Sequence, residues 1–136
     1  MKISHIEHIG IAVNNLETAI PFFEKFLGQQ CYAIEEIKDQ KVRTAFFKVG
    51  ETKIELLETT DEEGPIGTFL EKKGQGIHHI AFAVDDVDQS LIEAGSQGIR
   101  LIDKHSRKGA EGLNIGFLNP KSTFGVLTEL CSSTKS

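Results

Sequence analysis

Cysteine is scarce in this chain: Cys31 and Cys131 are the only two in 136 residues, and they form no CxxC pair. Neither a disulfide framework nor a thiolate zinc site is indicated. Positive charge is also in deficit. With 15 Lys plus Arg against 20 Asp plus Glu, the formal net charge is −5 and the pI is near 5.5, which argues against a nucleic-acid groove or a polybasic membrane surface. An anionic substrate would therefore need local positive charge, such as a metal ion. No apolar run approaches the roughly 18 residues that read as a membrane span, and the N-terminus MKISHIEHIG lacks the apolar core of a signal peptide. A cytoplasmic protein is expected. No Pro/Gly/Ser-rich linker divides the chain, so a single domain over 1–136 is expected, with SSTKS as a polar tail. What remains is ordinary globular usage, 39% hydrophobic and 26% charged, at a length that can bury a core.

Within that composition one phrase occurs twice. HIGIAV begins at His8 and HIAFAV at His79, an offset of 71 residues, about half the chain; each opens with a histidine and runs into a helix start. A second echo comes later, where IEL at 54–56 is answered by TEL at 128–130, so Glu55 and Glu129 correspond at an offset of 74. The three extra residues fit a longer hairpin loop, 119–125 against 49–53, without disturbing the strands beside it. Duplication is the working hypothesis, with one His and one Glu from each half.

Hydrophobic periodicity fills in the repeat. Strand 5–13 leads through Asn14 and Asn15 into a helix whose Leu16, Ile20, Phe23 and Leu27 recur at helical spacing; Gly28 stops it, and Pro21 should bend it or shift its start. Strands are expected at 30–38, 42–49 and 52–59, and a short connecting helix at 65–73. The second half repeats the plan: strand 77–84, helix 86–97 with Asp86 as N-cap and Gln89 at the capping-box position, Gly98 as its end, then strands near 99–104, 112–119 and 125–131. This is an α+β chain of two tandem βαβββ modules, about 5–60 and 76–131, joined by a connector at about 61–75.

Strand alternation decides where the repeated residues point. His8 shares a face with Gly10 and Ala12, opposite Ile9, Ile11 and Val13; His79 shares its face with Ala81 and Ala83, opposite Ile80, Phe82 and Val84. Bulky faces can pack under the helices, leaving each histidine on a surface of small residues. Glu55 opposes Ile54 and Leu56, and Glu129 lies between Thr128 and Leu130. Two curved sheets joined around these four residues would form one open cup around a metal site. The plainer fate of a lone strand histidine is structural, and of a lone glutamate solvent-facing; recurrence beside the same neighbours in both halves weighs against both. His5, His78 and His105 are read as ordinary polar positions, and Asp61, Glu62 and Glu63 as a solvated turn. KHSRKG at 104–109 is either a soluble loop, the plainer reading, or a phosphate-attracting loop beside the site.

HIGIAV, KIELLE, GIHHIAF and FLNPKSTFGVLTEL together resemble the vicinal oxygen chelate superfamily, over nearly the whole chain from Ile6 to about Cys131. The double histidine of GIHHIAF, the PIGTFLEKKG connector and the PK-x-x-x-GVL-x-EL ending resemble its methylmalonyl-CoA epimerase family in particular. That resemblance implies metal ligation by His8, His79 and Glu129, with Glu55 where some relatives place Gln. It implies a divalent ion, with cobalt, zinc, nickel, manganese and iron not distinguished, an acyl-CoA substrate and a homodimer. Proton transfer at C2 of methylmalonyl-CoA is then the expected reaction, with Glu129 and Glu55 as acid and base and Lys121, or the Arg107 and Lys108 loop, as candidates to hold the CoA. Two departures stand out: Asn119 replaces the family's usual His before PK, and Thr44 stands where some members have a glutamate base, so that base does not transfer. Glyoxalase I on a glutathione hemithioacetal is the alternative activity, and a metal-free small-molecule binder the alternative class. A dioxygenase is disfavoured, because a fourth ligand at Glu55 reduces the space for dioxygen.

Overall fold

In a computed structural model describing residues 1–133, the expected repeat is realised as two sets of four strands and a helix. The first set is β1 (Ile3–Ala12), α1 (Leu16–Leu27), β2 (Ala33–Ile37), β3 (Val42–Val49) and β4 (Thr52–Thr59). After α2 (Pro65–Lys73) the second set follows: β5 (Gly76–Val84), α3 (Val87–Ser96), β6 (Arg107–Lys108), β7 (Asn114–Leu118) and β8 (Thr128–Ser132). The strand order, β2-β3-β4-β1-β5-β8-β7-β6, reads outward from β1 and β5 in the same sequence on each side. The chain divides into two compact units, His8–His78 and Met1–Glu7 with His79–Ser136, so the divisions fall at the two repeated histidines. Residues 134–136 of the polar tail lie outside the described residues. Among those described, no helix is long and apolar enough to cross a membrane.

Helix boundaries follow local chemistry. The Asn15 side chain accepts a hydrogen bond from the Thr18 amide at 3.1 Å, and Asp86 does the same for Gln89 at 3.1 Å, so both helices begin on a satisfied orphan donor. Gly28 ends α1 in the left-handed conformation, at φ 65°. Pro21 leaves the start of α1 at Leu16.

Each helix covers the bulky face of its own strands. Under α1, residues Leu16, Ala19, Ile20, Phe23 and Leu27 meet Ile11, Val13, Ala45, Phe47, Ile54 and Leu56. Under α3, Val87, Leu91 and Ala94 meet Phe82, Val84, Leu118 and Leu130. At Gly116 the approach is so close that an added Cβ would lie 2.9 Å from Leu91 Cδ1; the corresponding position below α1, 71 residues earlier, is the small Ala45. A third cluster, Ala12, Val42, Leu57 and Ile66, is joined by Phe69 and Leu70 of α2.

The strand expected near 99–104 does not form. Leu101 makes one isolated bridge to Leu118, and the amides of Ile102 and Asp103 both donate to the Phe117 carbonyl. The Phe117 amide in turn donates to Asp103 Oδ2 at 2.8 Å. A side-chain carboxylate has taken the place of a backbone acceptor, so the ladder stops there. The pairing partner of β7 is instead the two-residue β6. Other boundaries shift as well: β2 begins at Ala33 rather than 30, β7 at Asn114 rather than 112, and β8 at Thr128 rather than 125, where Phe124 (φ 58°) and Gly125 (φ 92°) still belong to the turn. The extra residues of the second half do sit in the loop between β7 and β8, as expected.

Leu91 has no exposed surface and lies at the centre of the α3 cluster. Leu91→Ala should lower stability by about 2–5 kcal/mol, measured as a fall in the urea midpoint at unchanged m-value.

Candidate metal centre

The parallel ladders fix the site. In β1 and β4, Gly10 pairs with Glu55; in β5 and β8, Ala81 pairs with Glu129. Gly10 is two residues after His8, and Ala81 two after His79, so each glutamate occupies the same register position relative to its histidine. On the other flank the match continues, with Phe46 opposite Glu55 and Phe117 opposite Glu129. Paired residues share a face. Each carboxylate therefore sits between a position with little or no side chain and a phenylalanine.

The consequence within each unit is a buried His–Glu pair. His8 Nδ1 lies 3.3 Å from Glu55 Oε2, and His79 Nε2 lies 3.0 Å from Glu129 Oε1. All four residues are interior: His8 is 4% exposed, Glu55 3%, His79 7% and Glu129 3%. Burying a carboxylate costs several kcal/mol unless it is paired, and the neighbouring imidazole supplies that pairing. The pairs are not identical, since one histidine presents Nδ1 and the other Nε2. The His79 ring also meets Phe117 edge-on, with centroids 5.7 Å apart.

One residue that the sequence did not single out, Lys53, shares the face of the first pair. Lys53 pairs with His8 in the β1–β4 register and is only 8% exposed, a buried ammonium on the same side as Glu55. Its position two residues before Glu55 was the available signal. Thr44 is buried at 1% in the row of Leu57 and Glu35. In the second unit Arg107 shares the face of Ile115 and Phe117 and lies over the Phe117 ring at 5.5 Å. Lys121 is exposed in the β7–β8 turn. Asn119 closes that turn on itself, its side-chain oxygen accepting the Lys121 amide at 2.9 Å. Of the residues read as bystanders, His5 bonds Ser4 Oγ, His78 stands edge-on to Phe69, and Asp61 accepts the Glu63 amide in its own turn.

The loop that carries Arg107 is held down by Asp88 in the first turn of α3. Its carboxylate accepts the Ser106 amide at 2.7 Å and the Ser106 hydroxyl at 2.8 Å. The amide, and then the hydroxyl, hold the Asp88 carboxyl below the usual aspartate range. A lowered folded-state pKa means that this tether is fully present above the ordinary aspartate value and is lost as pH falls through the lowered one.

The whole arrangement matches a known family. Residues 7–117 fit the model of the glyoxalase/bleomycin resistance protein/dioxygenase superfamily, and the chain belongs to it. It is similar to the uncharacterized protein YqjC of Bacillus subtilis, at 44% identity over 94% of this chain and 91% of the relative. It is also similar to the ethylmalonyl-CoA/methylmalonyl-CoA epimerase of Cereibacter sphaeroides, at 37% identity over 94% and 97%. Among solved structures, a methylmalonyl-CoA epimerase in complex with methylmalonyl-CoA and ammonium superposes with a TM-score of 0.94, at 37% identity, over 98% of this chain and 96% of that one.

Asp88→Ala should lower the protection of the Ser106 amide, its exchange rate relative to the intrinsic rate at the same pH, at neutral pH, and the wild-type protein should lose the same protection on acidification below the usual aspartate range. Exchange followed by NMR across pH 3–7 checks both.

Proposed function

We propose that this chain is an isomerase that interconverts the (R) and (S) forms of methylmalonyl-CoA by moving the C2 proton, with one divalent metal ion held by His8, Glu55, His79 and Glu129. The observation that carries the reading is the matched register of the two buried His–Glu pairs. Family membership and the epimerase relatives support it. Two imidazoles and two carboxylates are a nitrogen/oxygen donor set that suits a divalent first-row ion. An ion held by these four donors would still be able to bind substrate oxygen. Bound there, the ion would supply positive charge where negative charge develops on the thioester oxygen.

The proton work falls to the chain's own carboxylates. Epimerisation removes a proton from one side of C2 and returns one on the other, so it needs acid and base on both sides. Glu129 is assigned the first role and Glu55 the second, related by the internal repeat. A carboxylate has two oxygens, so each can serve a cation with one and a proton with the other. The small Gly10 and Ala81 leave space beside each. Lys121 is assigned to the CoA portion. A cytoplasmic homodimer is part of the same reading.

Glu129→Gln should abolish deuterium uptake at C2 of methylmalonyl-CoA in heavy water, followed by NMR, while some cobalt or zinc remains bound; unchanged uptake removes Glu129 from the mechanism. Wild-type activity on methylglyoxal plus glutathione, with none on methylmalonyl-CoA, would replace the reading with a glyoxalase. His79→Ala should lower the bound metal after cobalt loading, measured by elemental analysis. A wild-type protein that retains no cobalt or zinc would favour a metal-free binder instead.

A further inference from the structure

Arg107 is held as few surface arginines are. Its Nε donates to Asp103 Oδ1 at 3.1 Å, while the other oxygen of the same carboxylate is fixed by the Phe117 amide. Its guanidinium lies over the face of the Phe117 ring, an arrangement that attracts a cation and restricts the plane of the fork. The loop behind it is tied to α3 through Ser106 and Asp88. At 43% side-chain exposure it remains open to solvent, and no bond to its two Nη groups occurs among the described residues. An oriented guanidinium with its terminal edge unused is suited to bidentate capture of a carboxylate or phosphate.

Its position chooses between those anions. Cζ is 5.5 Å from the centre of Phe117, and the His79 ring is 5.7 Å from the same centre, so the guanidinium is at most about 11 Å from that histidine ring. In a malonyl-type thioester the free carboxylate is bonded to C2 itself. The diphosphate of CoA is separated from the thioester by more than a dozen bonds, roughly 15 Å when extended. We propose that Arg107 receives the free carboxylate of the acyl group and thereby selects dicarboxylic acyl-CoA substrates over simple acyl-CoAs. This rests on the acyl-CoA reading above and adds a residue to it that makes specificity rather than chemistry. Asp103 and Phe117 are positioning residues: one sets the height of the fork and the other its plane.

Binding of methylmalonyl-CoA and of propionyl-CoA, which lacks only the free carboxylate, is to be measured by calorimetry on wild type, Arg107→Met and Arg107→Lys. Arg107→Met should bind methylmalonyl-CoA about tenfold more weakly or worse, the scale of one charge-assisted hydrogen bond, with propionyl-CoA binding within about twofold of wild type. Arg107→Lys, which keeps the charge without the fork, should fall between and covers the case in which the methionine variant does not fold. Equal losses for both ligands assign Arg107 to the phosphates and overturn the proposal, as does no loss for either. A wild type that fails to epimerise methylmalonyl-CoA and does not prefer it to propionyl-CoA rejects the functional reading itself. An active wild type with an unaffected Arg107→Met rejects only the role of Arg107.

Discussion

Parallel pairing of β1 with β4, and of β5 with β8, is the constraint on which the rest depends. Helices α1 and α3 require one face of each strand pair to be apolar, and alternation then sends the intervening residues to the opposite face. Gly10 against Glu55 and Ala81 against Glu129 are therefore joint consequences of helix packing and register. Slipping β4 by one residue would turn Glu55 toward the core under α1 and bring Ile54 or Leu56 to the face of His8. The buried carboxylate and the hydrophobic cluster hold each other in register, because neither tolerates the exchange.

A site built this way gains precision from strands rather than loops. Each of the two glutamates is paired with a neighbouring strand on both sides, and its partner histidine is on the adjacent strand at 3.3 or 3.0 Å. The surrounding residues are small on one side and aromatic on the other, so the side chains have room in one direction and a wall in the other. Loops contribute in another way. The segment at 103–108 is irregular in backbone, yet it is secured through side chains at Asp103, Ser106 and Arg107. Irregular backbone with fixed side chains allows chemistry to vary between duplicated halves while the strands stay constant.

Much of this was legible in the residues. The offset of 71 between the histidines and of 74 between the glutamates located the repeat, the longer loop and the two pairs; Asn15, Gly28 and Asp86 located the helix ends by capping chemistry. What escaped were features that depend on side chains replacing backbone. Ile99, Leu101 and Asp103 alternate like a strand, but Asp103 turns its carboxylate on the Phe117 amide, and no periodicity records that choice. Lys53 reads as an exposed charge in TKIEL, and only the pairing of β4 with β1 places it beside His8. Arg107 was legible only as part of a basic loop offered for the CoA, and the pairing of β6 with β7 is what sets it over Phe117. Asn119, in the position where a substrate contact was at stake, spends its side-chain oxygen on its own turn.

The two outermost strands differ in charge as well as in length. At one end of the strand order, β2 exposes a free edge that carries Glu35 and Glu36; at the other, β6 is only two residues long and consists of Arg107 and Lys108. An open sheet edge invites pairing with any extended chain, and charged or short edges resist it. Here, like edges of two molecules repel each other, acid against acid and base against base. A strand that attempted to extend the row beyond β6 would also find only two residues of backbone to pair with. The acidic β2 edge and the basic β6 edge attract each other, so it is the two-residue length of β6, and not the charge difference, that limits growth of the sheet by head-to-tail addition.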